Sequence, residues 1–133
     1  MKIKAIDHIG VAVKDIRQAS RFYGLLGLEV SKEYDLPSQK IRIAYIDTPA
    51  TKIELIQPIS EDSIISKFIE KKGEGIHHLC FVVDDIEKSL AELKSKGVQL
   101  IDEKPRMNPH NEKIAFINPK SVNGVLIELK EKM

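Results

Sequence analysis

The sequence predicts an α+β fold in which two tandem βαβββ modules form one domain of 133 residues. Three observations lead to this fold class. The chain has the length of a single domain, a long segment of it occurs twice, and each copy passes from the alternating pattern of a strand to the spacing of a helix. We place module 1 at about residues 1–58, a linker helix at about 60–73 and module 2 at about 75–133.

The repeat aligns without a gap. Residues 7–30, DHIGVAVKDIRQASRFYGLLGLEV, match residues 77–100, HHLCFVVDDIEKSLAELKSKGVQL. Two shorter matches follow in the same order along the chain, IAYID with IAFIN and IEL with IEL. Because the matches keep their order, we interpret the second half as a structural copy of the first.

The first strand and helix of module 1 follow from the spacing of apolar residues. From Ile9 to Val13, apolar side chains alternate with small ones, which indicates a strand with two different faces. Asp15 is then the expected helix N-cap, with Gln18 at the capping-box position, and Gly27 ends the helix. The apolar residues that recur at helical spacing are Ile16, Ala19, Phe22, Tyr23 and Leu26.

Module 2 repeats this plan. Its first strand alternates over residues 79–83, Asp85 caps the following helix and Gly97 ends it. Three short β-like runs follow the helix in each module: LEVSKEY, IRIAYID and TKIELIQ in the first, and VQLID, KIAFIN and GVLIELK in the second. Because a four-stranded sheet covered by one helix still has a bare second face, neither module is expected to stand alone.

Four polar residues stand out because the repeat preserves both their type and their place. They are His8 and His78 on the first strand of each module, and Glu54 and Glu128 on the last. A carboxylate between isoleucine and leucine is costly to bury unless a cation or a hydrogen-bond network compensates it. If a pseudo-two-fold axis relates the modules, the four side chains converge, and two imidazoles with two carboxylates suit one divalent ion of Co, Ni, Mn, Fe or Zn.

The other candidate residues have plainer interpretations. His77 lies on the opposite face from His78 and has Asp7 as its counterpart, so we assign it a structural role. His110 belongs to a polar loop and is expected to be solvated. Cys80 is the only cysteine, which excludes an internal disulfide and a cysteine-rich metal site and favours a small core or cavity-lining residue.

Charge and hydropathy narrow the range of partners. Lys and Arg number 21 against 20 Asp and Glu, and no basic stripe with interleaved aromatic residues occurs, so no nucleic-acid partner is expected. No run approaches the roughly 18 apolar residues of a membrane helix, and charged residues near the N-terminus are unlike a secretory signal. We therefore expect a cytoplasmic protein with a small-molecule ligand and no membrane contact.

The paired modules carrying His8, Glu54, His78 and Glu128 resemble the vicinal oxygen chelate superfamily, which includes glyoxalase I, methylmalonyl-CoA epimerase, extradiol dioxygenases and antibiotic-binding resistance proteins. The resemblance covers almost the full chain and is closest to the epimerase group, through DHIGVAV, ELIQPISEDSIISKFIEKKGEGIHHLCFVVDDI and NPKSVNGVLIEL. It implies that the modules form a curved mixed sheet around a metal cup, that these four residues bind the metal, and that the protein is a homodimer.

The resemblance also implies a function, which is that of a metal-dependent isomerase. Such an enzyme, like methylmalonyl-CoA epimerase, removes the proton α to a thioester carbonyl through a metal-stabilised enediolate. The enzymatic alternative is lactoylglutathione lyase (glyoxalase I), acting on the methylglyoxal-glutathione hemithioacetal. The non-enzymatic alternative is a small-molecule-binding resistance protein.

One segment departs from the epimerase pattern. Epimerases commonly have an acidic segment between the second and third strands, with a glutamate implicated in proton transfer. This chain has YDLPSQK there, at residues 34–40, and lacks that glutamate. Three explanations remain open. Glu128 moves protons, as the equivalent residue does in glyoxalase I; or Asp35 replaces the missing glutamate; or the substrate is a different one.

Overall fold

The computed structural model describes residues 1–132 and contains three α-helices and eight β-strands in that range. The helices are α1 (Ile16–Leu25), α2 (Ile64–Lys72) and α3 (Ile86–Ser95). The strands are β1 (Ile3–Ala12), β2 (Val30–Leu36), β3 (Ile41–Asp47), β4 (Lys52–Pro58), β5 (Gly75–Val83), β6 (Arg106–Met107), β7 (Lys113–Ile117) and β8 (Leu126–Glu131). None of the helices described is long and apolar enough to cross a membrane.

The chain forms two compact units. The first unit spans His8–His77, and the second combines Met1–Asp7 with the chain from His78 onward. Residues 1–7, which the sequence repeat places in module 1, thus group with the second unit. The first unit begins at His8, and the main segment of the second begins at the equivalent histidine.

In the first unit the strand order is β2, β3, β4, β1, with β1 parallel to β4 and the other neighbours antiparallel. One face of this sheet packs on α1, where Leu55 and Ala44 contact the cluster around Ile16. Ile56 belongs to the other face and packs with Ile65 of α2. Because adjacent residues of β4 point to opposite faces, the strand supplies both layers of the core.

In the second unit the strand order is β5, β8, β7, β6, again with one parallel pair, β5 with β8. Ile86 and Leu90 of α3 pack on one face of this sheet with Ala115 and Leu129. Each unit therefore has the order strand, helix and three strands that the sequence predicts. The α+β class and the two βαβββ modules are confirmed.

The start of each long helix is held by two side chains, one local and one distant. The predicted N-caps are confirmed, Asp15 on α1 and Asp85 on α3. The distant contact was not predicted: Gln57 Oε1 accepts the N–H of Ile16 at 2.9 Å, and Glu131 Oε1 accepts the N–H of Ile86 at 2.8 Å. The last strand of each module therefore fixes the helix that covers its sheet.

The predicted strand at VQLID is wrong. Within this run Leu100 forms an isolated bridge to Ile117, and the short strand β6 comes later in the chain. The physical reason is Asp102, whose carboxylate Oδ2 accepts the N–H of Phe116 at 2.8 Å. A side chain thus occupies the position at which a strand would offer a backbone carbonyl.

The predicted apolar stripe of α1 is partly wrong. Ile16, Ala19 and Tyr23 pack inward, but Phe22 and Leu26 are 59% and 60% exposed. At 3.6 residues per turn, Phe22 lies roughly 90° around the helix from the inward residues. Leu26 is the C-cap and follows the last helical residue.

The contacts between the last strands and the helix N-termini predict a loss of stability on truncation. Gln57→Ala and Glu131→Ala should each lower the free energy of unfolding by about 1 kcal/mol, because a helix N–H loses its acceptor. Urea denaturation followed by circular dichroism measures this, with the exposed Gln99→Ala as the matched control, expected to change it by less than about 0.5 kcal/mol. Variants as stable as the control would contradict the assignment.

Candidate metal centre

In the first unit a histidine and a glutamate meet on one face of the sheet. His8 lies on β1 and Glu54 on β4, with Gly10 opposite Glu54 in the parallel register. His8 Nε2 is 3.5 Å from Glu54 Oε2, and the two side chains are only 4% and 10% exposed. Gly10 and Ala12 continue the same face of β1, so the residues that follow His8 on this face have small side chains.

The second unit contains the equivalent pair. His78 lies on β5 and Glu128 on β8, with Cys80 opposite Glu128 in the parallel register. His78 Nε2 is 3.3 Å from Glu128 Oε1, and both side chains are less than a tenth exposed. The His78 ring meets Phe116 edge to face, with the ring centroids 6.1 Å apart. Both halves of the repeat therefore contain the same buried His–Glu pair.

These pairs have the composition of a divalent-metal site. Burying a carboxylate in an apolar sheet is costly without compensation, and each carboxylate here lies beside an imidazole nitrogen. Neutral imidazole and carboxylate oxygen are both ligands of borderline divalent metals, and strands hold such ligands in fixed positions. The residues thus fit the predicted ion. The convergence of the two pairs on one ion stays a prediction.

The remaining predicted residues have ordinary surroundings. His77 is half-buried and packs edge to face on Phe68 of α2, with the ring centroids 4.9 Å apart, which supports a structural role. His110 is exposed in the loop before β7, where its backbone N–H donates to Asn108 Oδ1. Cys80 is fully buried, as expected for a small core residue.

Asp35 lies away from the face that carries His8 and Glu54. Tyr34 and Leu36 pack in the same cluster as Ala12 and Ile56, which continue that face on β1 and β4. Because β2 alternates, Asp35 points to the other side, where it is exposed. There its Oδ1 accepts from Arg42 Nε at 2.7 Å, and this bond holds the pKa of Asp35 below its usual value. This placement argues against Asp35 as the replacement for the missing glutamate.

A pair of tyrosines near Glu54 was not predicted from the sequence. The hydroxyl oxygens of Tyr34 and Tyr45 are 3.1 Å apart, and Tyr45 lies directly opposite Glu54 in the antiparallel register of β3 and β4. Side chains that are directly opposite share one face of a sheet. The alternation of β3 could have placed Tyr45 on this face, but the register that sets it beside Glu54 has no local signal in the sequence.

Residues 7–116 match the family model of the glyoxalase/bleomycin resistance protein/dioxygenase superfamily. An uncharacterised protein of Bacillus subtilis, YqjC, is 42% identical over 95% of this chain and 91% of its own length. An ethylmalonyl-CoA/methylmalonyl-CoA epimerase of Cereibacter sphaeroides is 36% identical over 97% of this chain and 98% of its own. A probable lactoylglutathione lyase of Synechocystis is 24% identical over 92% of this chain and 91% of its own.

Solved structures of methylmalonyl-CoA epimerases are also similar to this chain. The methylmalonyl-CoA epimerase of Mycobacterium tuberculosis has a TM-score of 0.89 at 39% identity, over 98% of this chain and 89% of its own. A Streptomyces coelicolor methylmalonyl-CoA epimerase in complex with 2-nitronate-propionyl-CoA has a TM-score of 0.88 at 34% identity, over 98% and 96% of the two chains. The predicted fold class is therefore confirmed.

The position of Asp35 can be tested by its titration. Its carboxyl group should titrate below the ordinary value of 3.8 in the folded protein, because Arg42 donates to the ionised form. In Arg42→Met the pKa of Asp35 should rise toward that value, which carbon-13 NMR of the carboxyl carbon can follow. A pKa near neutral in the unmodified protein would instead indicate a desolvated carboxyl group and would contradict this placement.

Proposed function

The chain belongs to the glyoxalase/bleomycin resistance protein/dioxygenase superfamily, and from that premise we propose that it is an isomerase of the methylmalonyl-CoA epimerase type. Its substrate would be an acyl-CoA thioester with an acidic α-proton. The observation that carries the proposal is the same buried His–Glu pair in both units, on a chain whose relatives include epimerases at 36% identity.

The proposal assigns one divalent ion to His8, Glu54, His78 and Glu128. When bound, such an ion supplies a Lewis acid that stabilises the negative charge developing on the carbonyl oxygen as the α-proton leaves. The two imidazoles must be neutral and the two carboxylates ionised to act as ligands. Their burial excludes water, which strengthens the electrostatic interactions on which the reaction depends.

Within this proposal Glu128 is the proton-transfer group. Its carboxylate is held beside His78 on a buried strand, so its position is defined by the sheet. Removing the α-proton leaves its electron pair on the substrate as an enediolate. Returning a proton to the same carbon from its opposite face completes an epimerisation, which calls for a second proton-transfer group on that side. Returning it to the adjacent carbon would complete the glyoxalase reaction and can use one base.

The choice between the epimerase and the lyase rests on sequence identity. Identity to the epimerase is 36%, whereas identity to the probable lactoylglutathione lyase is 24%. The lyase is therefore the second candidate. A non-catalytic binding protein is less favoured, because such proteins often lose the metal ligands and this chain has a histidine or a glutamate at all four proposed positions. The homodimer and the cytoplasmic location expected from the resemblance and the sequence belong to the proposal as well.

The metal assignment predicts one ion per chain. Elemental analysis of protein purified without chelator should find about one divalent ion per chain, and His78→Ala should lose it because a ligand is removed. His77→Ala is the matched control and should keep the ion, since its ring packs on Phe68. Equal retention of metal by both variants would contradict the proposed ligand set.

The substrate assignment predicts exchange of the α-proton. In heavy water the protein should catalyse deuterium exchange at the α-carbon of methylmalonyl-CoA, and Glu128→Gln should slow it by about 10²-fold or more. Asp35→Asn, on the opposite side of β2, should leave the rate unchanged.

A parallel assay of lactoylglutathione formation tests the second candidate. Lactoylglutathione formation without deuterium exchange would contradict the epimerase assignment and support that of glyoxalase I. Activity in neither assay would favour another thioester or a binding role.

A further inference from the structure

Lys130 is a buried cation whose role the proposed reaction does not explain. It lies on β8 and is only 8% exposed. Its Nζ is 3.0 Å from Asp7 Oδ2 and 3.1 Å from Glu112 Oε1. The Lys130 side chain therefore lies between two carboxylates.

Both carboxylates beside Lys130 are themselves fixed. Glu112 also accepts from Asn108 Nδ2 at 3.1 Å, and Asn108 Oδ1 in turn accepts the N–H of Glu112 at 2.9 Å. Asp7 has a second cation, Lys132, whose Nζ is 2.9 Å from Oδ1. These contacts join the N-terminal segment to the last strand within the second unit.

The internal repeat provides a control for this ion pair. The equivalent of Lys130 in the first module is Ile56, and the equivalent of Asp7 is His77. There Ile56 packs in an apolar cluster with Phe68, on which the His77 ring also packs. The fold therefore accommodates an apolar residue at the position equivalent to Lys130. Since a buried ion pair adds little net stability compared with apolar packing, folding alone does not account for Lys130 and Asp7.

The ion pair joins the two chain segments that lead into proposed ligands. Asp7 directly precedes His8 in the sequence. Lys130 follows Glu128 by two residues and so points to the same face of β8. A single bond of 3.0 Å therefore fixes the residue before one ligand to the strand that carries another.

We propose that Lys130 is a positioning residue of the metal site, which orients the segment entering His8 by binding Asp7. This inference rests on the proposed metal site and adds a residue that would not touch the ion. For the metal affinity of a variant that lacks the Lys130 charge, it predicts a change opposite to the one expected from charge repulsion alone. Removing a positive charge near a bound cation should strengthen binding, whereas losing a positioning contact should weaken it.

The test is the affinity for Mn²⁺ alone, measured by isothermal titration calorimetry. Lys130→Met should bind Mn²⁺ about 10- to 100-fold more weakly, the usual effect of removing a group that orients a metal ligand. Lys132→Met is the matched control, because Lys132 binds the same Asp7 from an exposed position, and it should change the affinity less than about 2-fold. Lys130→Arg keeps the charge and should recover part of the affinity.

A neutral double variant separates positioning from folding. Lys130→Met alone removes the buried cation beside the Asp7 carboxylate and could therefore destabilise the fold. The double variant Asp7→Asn with Lys130→Met removes both charges and keeps side chains of similar shape. This variant should fold with a melting temperature close to that of the unmodified metal-free protein and should still bind Mn²⁺ at least about 10-fold more weakly.

The outcomes distinguish this inference from the proposed function. Unchanged or tighter Mn²⁺ binding by the folded double variant would overturn the role of Lys130 and leave the metal site standing. Failure of the unmodified protein to bind Mn²⁺ would overturn both. Equal weakening by Lys132→Met would also contradict the inference, because the exposed contact to Asp7 would then matter as much as the buried one.

Discussion

The rest of the structure depends on the burial of two carboxylates in apolar strands. Glu54 and Glu128 each have apolar neighbours along the chain, and each is less than a tenth exposed. A buried carboxylate is tolerated only with compensation. The parallel pairing of the first and last strand of each module meets this need, because it brings a histidine beside each glutamate. Helices α1 and α3 cover the opposite faces. In the first unit α2 packs on the His–Glu face farther along the strands, at Ala12 and Ile56.

The two halves of the chain distinguish what the fold requires from what has been added to it. Both contain the His–Glu pair, an aspartate N-cap and a side chain of the last strand that accepts a helix N–H. They differ where the first half has Ile56 and the second has Lys130. A feature found in both halves belongs to the shared architecture. A feature found in only one needs a separate reason, and for Lys130 that reason is the segment leading into His8.

Much of the fold and the candidate site could be predicted from the sequence, because the repeat doubles each local signal. Hydrophobic spacing located the strands and helices, and repetition separated His78 from its neighbour His77. What was missed depends on contacts between distant residues. Asp102 replaces a strand carbonyl, Tyr45 lies opposite Glu54, and Lys130 meets Asp7 across the length of the chain. None of these contacts has a periodicity or a local motif, so they become visible only once the register of the strands is known.

The central claim is that the two His–Glu pairs together bind one divalent metal ion. Pulsed electron paramagnetic resonance of the Mn²⁺-loaded protein, with nitrogen-15 in its histidines, counts the imidazole nitrogens bound to each ion. The account predicts one Mn²⁺ per chain coupled to two histidine nitrogens. Two ions per chain, each coupled to a single histidine nitrogen, would contradict it.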